Sequence, residues 1–326
     1  MGLPVFSRVI SKDNPLLARD FILWLSTKPC VTNAIARRGM QNGFARRFIA
    51  GETLDEVLSA CAALCADGRT VSLNHLGENV ATEADANKVF DIYVHLLEQL
   101  HARNLPGNIS IKLTQLGLVV GRDFCENLTR NIARRAQELH RSIEIDMEGS
   151  SYTEVTLEIF EAVQRASGNV ALAIQAYLYR SESDLQRLSP LQPKIRLVKG
   201  AYREPKNVAF QEKSAVDANF KRLTTLLMEG AARGTFFPAI GSHDPAMAAH
   251  AQAEGARLQV PKDKYEFQML YGIRRDLQDQ ILREGHRVQV YVSFGTDWCP
   301  WFMRRLAERP ANCWFVLRSL LAETKT

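Results

Sequence analysis

Two adjacent arginines, Arg304 and Arg305, stand in WFMRRLAERPAN (301–312), a stretch with the apolar spacing of an amphipathic helix. Glu308 follows one turn later. Cations suit the C-terminal end of a helix dipole, so a double guanidinium in the first turns points to an anion nearby. Lys112 ends the apolar run ISIKL. It reads as a snorkelling lysine at a strand end or as a buried cation for an anionic group. Asp146 ends IEID one unit later and could hold that lysine and balance its charge; a helix-capping aspartate is the alternative. In KIRLVKGAYRE, Gly200 permits close approach of backbone to a ligand. Arg196 and Lys199 are three apart there, so an extended run starts them on opposite faces; a strand-to-loop turn with solvated cations is the plainer reading. His243, in GSHDP, could serve as a general base, a phosphate contact or a neighbour of a helix cap. No serine or cysteine stands in a nucleophile elbow, so an acyl-transfer triad is not expected. His75 and His243 lack a third ligand at metal-binding spacing, so no metal is expected either.

These residues need elements to bring them together. Residues 1–69 read as helix on helix: NPLLARDFILWLST, TNAIARRGMQNGFARRFIA and TLDEVLSACAALCADG carry apolar residues three and four apart, with caps at Asn14, Thr32 and Thr53. From residue 70 the texture changes to β-rich runs alternating with helical ones. The strand candidates are 70–76, 108–113, 142–147, 170–178, 194–200, 235–241, 265–270 and 286–292. The spacing predicts helices over 83–103, 124–140, 151–166 and 207–233, among others. Strands separated by helices must run parallel with crossover connections. Eight such units over about 250 residues is the count for a closed (β/α)₈ TIM-type barrel. An open doubly wound sheet is the alternative, but the first strand is followed by HLGEN and no glycine-rich phosphate loop occurs. The expected organisation is therefore α/β: an N-terminal helical segment (1–69) and a barrel with C-terminal helices (70–326).

Barrel chemistry sits at the C-terminal ends of the strands. In order, those ends offer Asn74 and Glu78; Lys112; Asp146 and Glu148; Gln175 and Tyr177; Arg196, Lys199 and Tyr202; His243 and Asp244; Gln268 and Leu270; Tyr291. Each has a bland reading alone, and their convergence on one mouth is the signal.

Composition bounds the rest. The 326 residues are 46% hydrophobic, enough for one large core. The 41 basic residues are interspersed with 36 acidic ones for a net charge of +5, so no nucleic-acid footprint is seen. None of the six cysteines forms C-x-x-C, and reduced core thiols are expected. No run approaches the roughly 18–20 apolar residues of a membrane span. No signal peptide is expected, and Phe6 breaks the myristoylation pattern.

As an ordered set, SIKLTQLG (110–117), EIDMEG (144–149), AIQAYLYR (173–180), RLVKGAYREP (196–205), GSHD (241–244), YEFQMLYGIR (265–274), YVSFG (291–295) and FMRRLAERPAN (302–312) resemble the proline dehydrogenase family, monofunctional members included. The resemblance covers the chain from about residue 70 to its end. It implies a distorted barrel that binds FAD and oxidises L-proline to Δ1-pyrroline-5-carboxylate, with hydride passing to flavin N5. Matched by motif, Lys112, Arg304 and Arg305 would bind the substrate carboxylate, and Glu308 would orient the arginines. Tyr202, Leu270 and Tyr291 would enclose the pyrrolidine ring, and Asp146 would lie near both Lys112 and the flavin. Arg196 would hydrogen-bond the flavin near its reactive nitrogen. Gln175, Val198, Lys199, Gly200, Ala201, Ser242, His243, Asp244 and Gln268 would also line the cofactor. Two departures stand out: Asn74 occupies a position where aspartate is frequent, and Arg203 one where other members carry an aromatic. Both are expected to tune the flavin surroundings.

The resemblance further implies a quinone acceptor. That suggests a cytoplasmic protein with peripheral contact at the inner face of the plasma membrane. CWFVLRSLLAETKT at the C-terminus is expected to be a core-packing helix, with an amphipathic docking helix as the alternative. A separate pyrroline-5-carboxylate dehydrogenase would finish the oxidation to glutamate. The rival readings are a same-fold flavoenzyme for hydroxyproline or another cyclic imino acid, and a non-catalytic ligand-binding barrel.

Overall fold

Along most of the strand runs, apolar residues alternate with polar or small ones, and the structure separates the two sets. The computed structural model describes residues 49–77 and 80–295. Eight strands, β1 (Thr70–His75), β2 (Gly107–Ile111), β3 (Ile143–Ile145), β4 (Val170–Gln175), β5 (Lys194–Val198), β6 (Phe237–Gly241), β7 (Glu266–Leu270) and β8 (Arg287–Phe294), form a closed barrel in chain order. Every pair is parallel, and β8 closes on β1 with Thr70 opposite Gln289 and His75 opposite Phe294. The TIM-type barrel expected from the alternation of strands and helices is what forms.

Period-two alternation sends Val71, Leu73, Ile109, Ile111, Ile143, Ile145, Leu172, Ile174, Ile195 and Leu197 outward, where all are buried. Helices cover them: α1 (Leu54–Ala66), α2 (Glu83–Ala102), α3 (Arg122–Glu138), α4 (Thr153–Ser167), α5 (Ser181–Leu188), α6 (Lys213–Ala232), α7 (Pro245–Arg257) and α8 (Arg275–Arg283). On α2 the buried face is Ala86, Tyr93, Leu96, Leu97 and Leu100, a stripe with helical period. The apolar core thus fills the layer between sheet and helices. The barrel interior holds the polar set, including Ser72, Asn74, Asn108, Ser110, Glu144, Arg196, Glu266, Gln268 and Gln289, all buried.

Helix starts follow local chemistry. Thr53 caps α1 with a full capping box: its side chain accepts from the Glu56 amide, and Glu56 reaches back to the Thr53 amide. Thr82 caps α2 through the Asp85 amide. Asp244 caps α7, accepting from Ala246 N at 3.0 Å.

One helix is shorter than its sequence pattern. The periodic run over 207–233 becomes helical only at Lys213. Before it, Ala209 forms an antiparallel bridge with Leu178. Phe210 N donates to Tyr177 O at 2.8 Å, and Tyr179 N donates to Val208 O at 3.1 Å. These long-range bonds engage backbone groups that a longer α6 would need.

Of the cysteines, Cys61 and Cys125 are buried free thiols, and burial pushes both pKa values up to about 12. Among the described residues no helix is long and apolar enough to cross a membrane.

Candidate active site

Asp146 is the first residue beyond β3, and its amide donates to Ile111 O at 2.9 Å, which fixes its backbone beside the end of β2. Four side chains converge on its carboxylate. Ser110 Oγ donates to Oδ1 at 2.7 Å, and Arg196 Nη2 donates to the same oxygen. Tyr291 OH donates to Oδ2 at 2.8 Å, alongside Lys112 Nζ. A carboxylate offers about four lone-pair sites, so this one is fully used. Burial opposes its charge, yet Lys112, Arg196 and the hydrogen bonds together hold its pKa well below the usual range. Lys112 shows the mirror effect: burial works against its ammonium, but Asp146 and the nearby Tyr291 hold its pKa well above normal. Burial and Asp146 push the Tyr291 hydroxyl well above its ordinary pKa. Across the neutral range the cluster therefore keeps one charge state.

Beneath it lies a second layer. Glu144, two residues before Asp146 on the same face of β3, is fully buried. Its Oε2 accepts from Arg196 Nη1 at 3.3 Å, and its Oε1 accepts from Gln268 Nε2 at 3.3 Å. Gln268 Nε2 is also within 2.9 Å of Glu266 Oε1 and 2.8 Å of Gln289 Oε1. Lower still, Lys194 pairs with Glu266 at 2.6 Å. Arg196 is thus held between two carboxylates, and its guanidinium lies 5.3 Å from the Tyr291 ring centroid, a cation–π distance. Three cations (Lys112, Lys194, Arg196) face three carboxylates (Glu144, Asp146, Glu266). Buried charges persist only when paired, and here the pairing is complete among the described interior residues.

Around β4 to β7 the strand ends carry a different set. Gln175 Nε2 donates to Glu148 O at 2.8 Å, and its Oε1 accepts from Ala201 N at 3.4 Å. Lys199 Nζ pairs with Asp244 at 2.8 Å and with Asp217. His243 Nε2 lies 2.8 Å from Leu270 N. A backbone amide can only donate, so Nε2 is the acceptor and the ring proton of the neutral imidazole sits on Nδ1.

The family model for proline dehydrogenase matches residues 57–318. The chain belongs to the proline dehydrogenase family. Proline dehydrogenase 1 of Bacillus subtilis is 37% identical over 306 residues, covering 94% of this chain and 99% of that protein. Proline dehydrogenase of Deinococcus radiodurans is 37% identical over 310 residues, covering 94% and 98%. Among solved structures, proline utilization A (PutA) from Bdellovibrio bacteriovorus, inactivated by N-propargylglycine, superposes with a TM-score of 0.78 at 25% identity. That match covers 84% of this chain and 33% of the other, so this chain spans about a third of that protein's length. Members of the proline dehydrogenase family are oxidoreductases, and this chain is one of them.

Of the residues singled out from the sequence, Lys112, Asp146, Arg196 and Tyr291 meet directly, and Gln268 joins them through Glu144. Lys199 joins Asp244, His243 joins Leu270, and Gln175 joins Ala201 as separate contacts. Tyr202 is 42% exposed on the segment after β5. Arg304, Arg305, Glu308 and Glu78 lie outside the described residues. Arg196 was read as starting opposite Lys199; the structure sends Arg196 into the barrel and Lys199 past the strand end to the side chains of α6 and the α7 cap. Asn74 donates to Ser110 O at 3.0 Å, which an aspartate could not do.

Among the participants that were missed, two stand beside recognised positions. Glu144 carries the lower half of the Arg196 clamp, and Ser110 supplies the fourth donor to Asp146. The signal was present in both cases: each stands two residues from a recognised site residue, on the same face of its strand.

Proposed function

We propose that the chain oxidises L-proline to Δ1-pyrroline-5-carboxylate with FAD as cofactor and a quinone as final acceptor. The observation that carries this reading is the Asp146 junction, which fixes Lys112, Arg196 and Tyr291 at the C-terminal mouth of the barrel.

The residues fit a flavin. Arg196 Nε is a buried donor with no partner among the described residues, and Gln268 Oε1 is a buried acceptor with none. The Gln268 assignment follows from its nitrogen, which faces three oxygens. An isoalloxazine edge presents both acceptors and donors, so it could satisfy these two atoms. Arg196 and Gln268 would hold the ring system. Gln175, Val198, Lys199, Gly200, Ala201, Ser242, His243 and Asp244 would line the rest of the cofactor. When bound, the flavin supplies at its N5 the acceptor for the hydride that leaves the ring carbon beside nitrogen.

The chain's own residues bind and orient. Lys112 keeps its charge because Asp146 holds it, and it presents an ammonium to the substrate carboxylate. Asp146 and Glu144 together balance Lys112 and Arg196, so this rim offers little net positive charge by itself. Arg304 and Arg305 would supply the rest, with bidentate bonds to the carboxylate and with Glu308 orienting them. Tyr202, Leu270 and Tyr291 would enclose the ring and exclude water. The substrate ammonium first gives a proton to solvent water, and the freed nitrogen lone pair forms the C=N bond as the hydride leaves the neighbouring ring carbon.

Tyr291 also bears on the substrate. Its hydroxyl proton goes to Asp146, so it has none to offer a ring hydroxyl, and its bulk would crowd one. Proline is therefore preferred over hydroxyproline. Cytoplasmic location, peripheral membrane contact through a quinone pool, and a separate pyrroline-5-carboxylate dehydrogenase downstream belong to the same reading. The test is anaerobic addition of L-proline to the yellow, FAD-loaded protein. Bleaching is expected; a flavin that stays oxidised, or protein that takes up no flavin, overturns the proposal.

A further inference from the structure

Between β5 and α6 the chain takes a long excursion, residues 199–212, that carries Tyr202. An aromatic side chain on a loop has no defined direction unless the backbone on both sides is held. Here it is held two residues away on either side. Gly200 takes φ of +121° and lies so close to Tyr177 that an added Cβ would sit 2.4 Å from the ring. Tyr177 N donates to Lys199 O at 2.9 Å just before it. On the other side, the Glu204 carboxylate reaches across to the turn after β3. Ser150 N donates to Glu204 Oε1 at 2.7 Å, and Ser150 Oγ donates to Oε2. Ser150 opens a 3₁₀ turn, Ser150–Tyr152, only four residues beyond Asp146. Glu204 therefore ties the β5 connection to the β3 connection, above the Arg196–Asp146 link that joins the same two strands inside the barrel.

We propose that Glu204 is the positioning residue for Tyr202: a latch that fixes the aromatic wall of the substrate pocket and so sets the KM for substrate. This rests on the function proposed above. Glu204 acts through Tyr202, since its own carboxylate oxygens are taken up by Ser150.

The experiment uses the full-length, FAD-loaded protein and the variants Glu204→Ala, Ser150→Ala, Tyr202→Ala and Tyr202→Ala/Glu204→Ala. Losing a charge-assisted latch should raise the KM for L-proline by about tenfold in E204A. In the same variant kcat should stay within about twofold and flavin content and spectrum should be unchanged, as expected for lost ground-state positioning. S150A, which keeps the backbone amide donor, should move KM in the same direction by less. The double variant should have a KM no higher than Y202A alone. Hydrogen exchange over residues 199–206 reads the latch independently of turnover, and protection should fall in E204A. Unchanged exchange overturns the latch. So does an unchanged KM with a lowered Tm, or a KM increase in the double variant that is additive to that of Y202A. Faster exchange in E204A, with a parent that fails to oxidise proline, overturns the proposed function and leaves the latch standing.

Discussion

Asp146 and Arg196 meet across a strand that carries neither of them. Asp146 follows β3 and Arg196 lies on β5, so β4 stands between. The residue of β4 in register with Arg196 is Ala173. It faces the interior with a methyl group only, which leaves room for a guanidinium to pass over and reach both Asp146 and Glu144. The small side chain is a condition for the clamp.

Ala173→Leu should therefore break the crossing. The added carbons would compete with the guanidinium for the same space, and overpacking of this kind costs about 1–3 kcal/mol. Urea unfolding measures it. A variant as stable as the parent would show that the interior has room to spare.

Asp146→Asn should cost more, because it leaves the half-buried Lys112 ammonium facing a neutral amide and the buried Arg196 guanidinium with Glu144 alone. Removing one member of a buried pair costs about 3–5 kcal/mol. The pH dependence follows from the sign of the shift. The Asp146 pKa is depressed in the fold relative to 3.8 for the free side chain, so its contribution is present above about 4 and is lost as pH falls towards the folded value. The parent should lose stability on acidification below about 4. D146N should show a shallower acid limb in urea midpoints taken at several pH values.

Much of this arrangement was legible in the sequence. Eight strand–helix alternations specify the barrel, and the Thr53 cap is visible as Thr-x-x-Glu before an apolar run. The motif positions Lys112, Asp146, Arg196 and Tyr291 are those that meet. Glu144 was only half legible: its place two residues before Asp146 marks the face it shares, but its partner Arg196 lies 52 residues on and nothing local to IEI names it. The true start of α6 was hidden for a similar reason. The bridge between Leu178 and Ala209 is a long-range contact, and no local pattern at 207–212 announces it.

Binding of a carboxylate ligand should be insensitive to pH near neutrality. Asp146 is shifted down, while Lys112 and Tyr291 are shifted up, so none of the three changes charge there. The Kd of cyclopentanecarboxylate, which has no amine, should be flat from about pH 6 to 9, since those pKa values all lie outside that window. The kcat/KM for L-proline should rise over the same range as the substrate ammonium loses its proton. Flavin-monitored titration and steady-state kinetics check the two halves.

Lys112→Met and Arg305→Met should each raise the KM for L-proline strongly with a smaller loss of bound FAD. A charge-assisted bond to a carboxylate contributes about 1.5–3 kcal/mol, or roughly tenfold to a hundredfold in KM. K112M should also loosen the Tyr291 hydroxyl, whose other partner in the cluster is Asp146. Kinetics with flavin content measured in parallel separate substrate binding from cofactor loss.

The most direct test of the carboxylate clamp is a paired anaerobic titration of the FAD-loaded protein with L-proline and with L-prolinamide, whose acid group is masked. The account predicts that proline bleaches the flavin at low concentration, while prolinamide does so only at far higher concentration or not at all. Equal bleaching by the two compounds at equal concentration would contradict it.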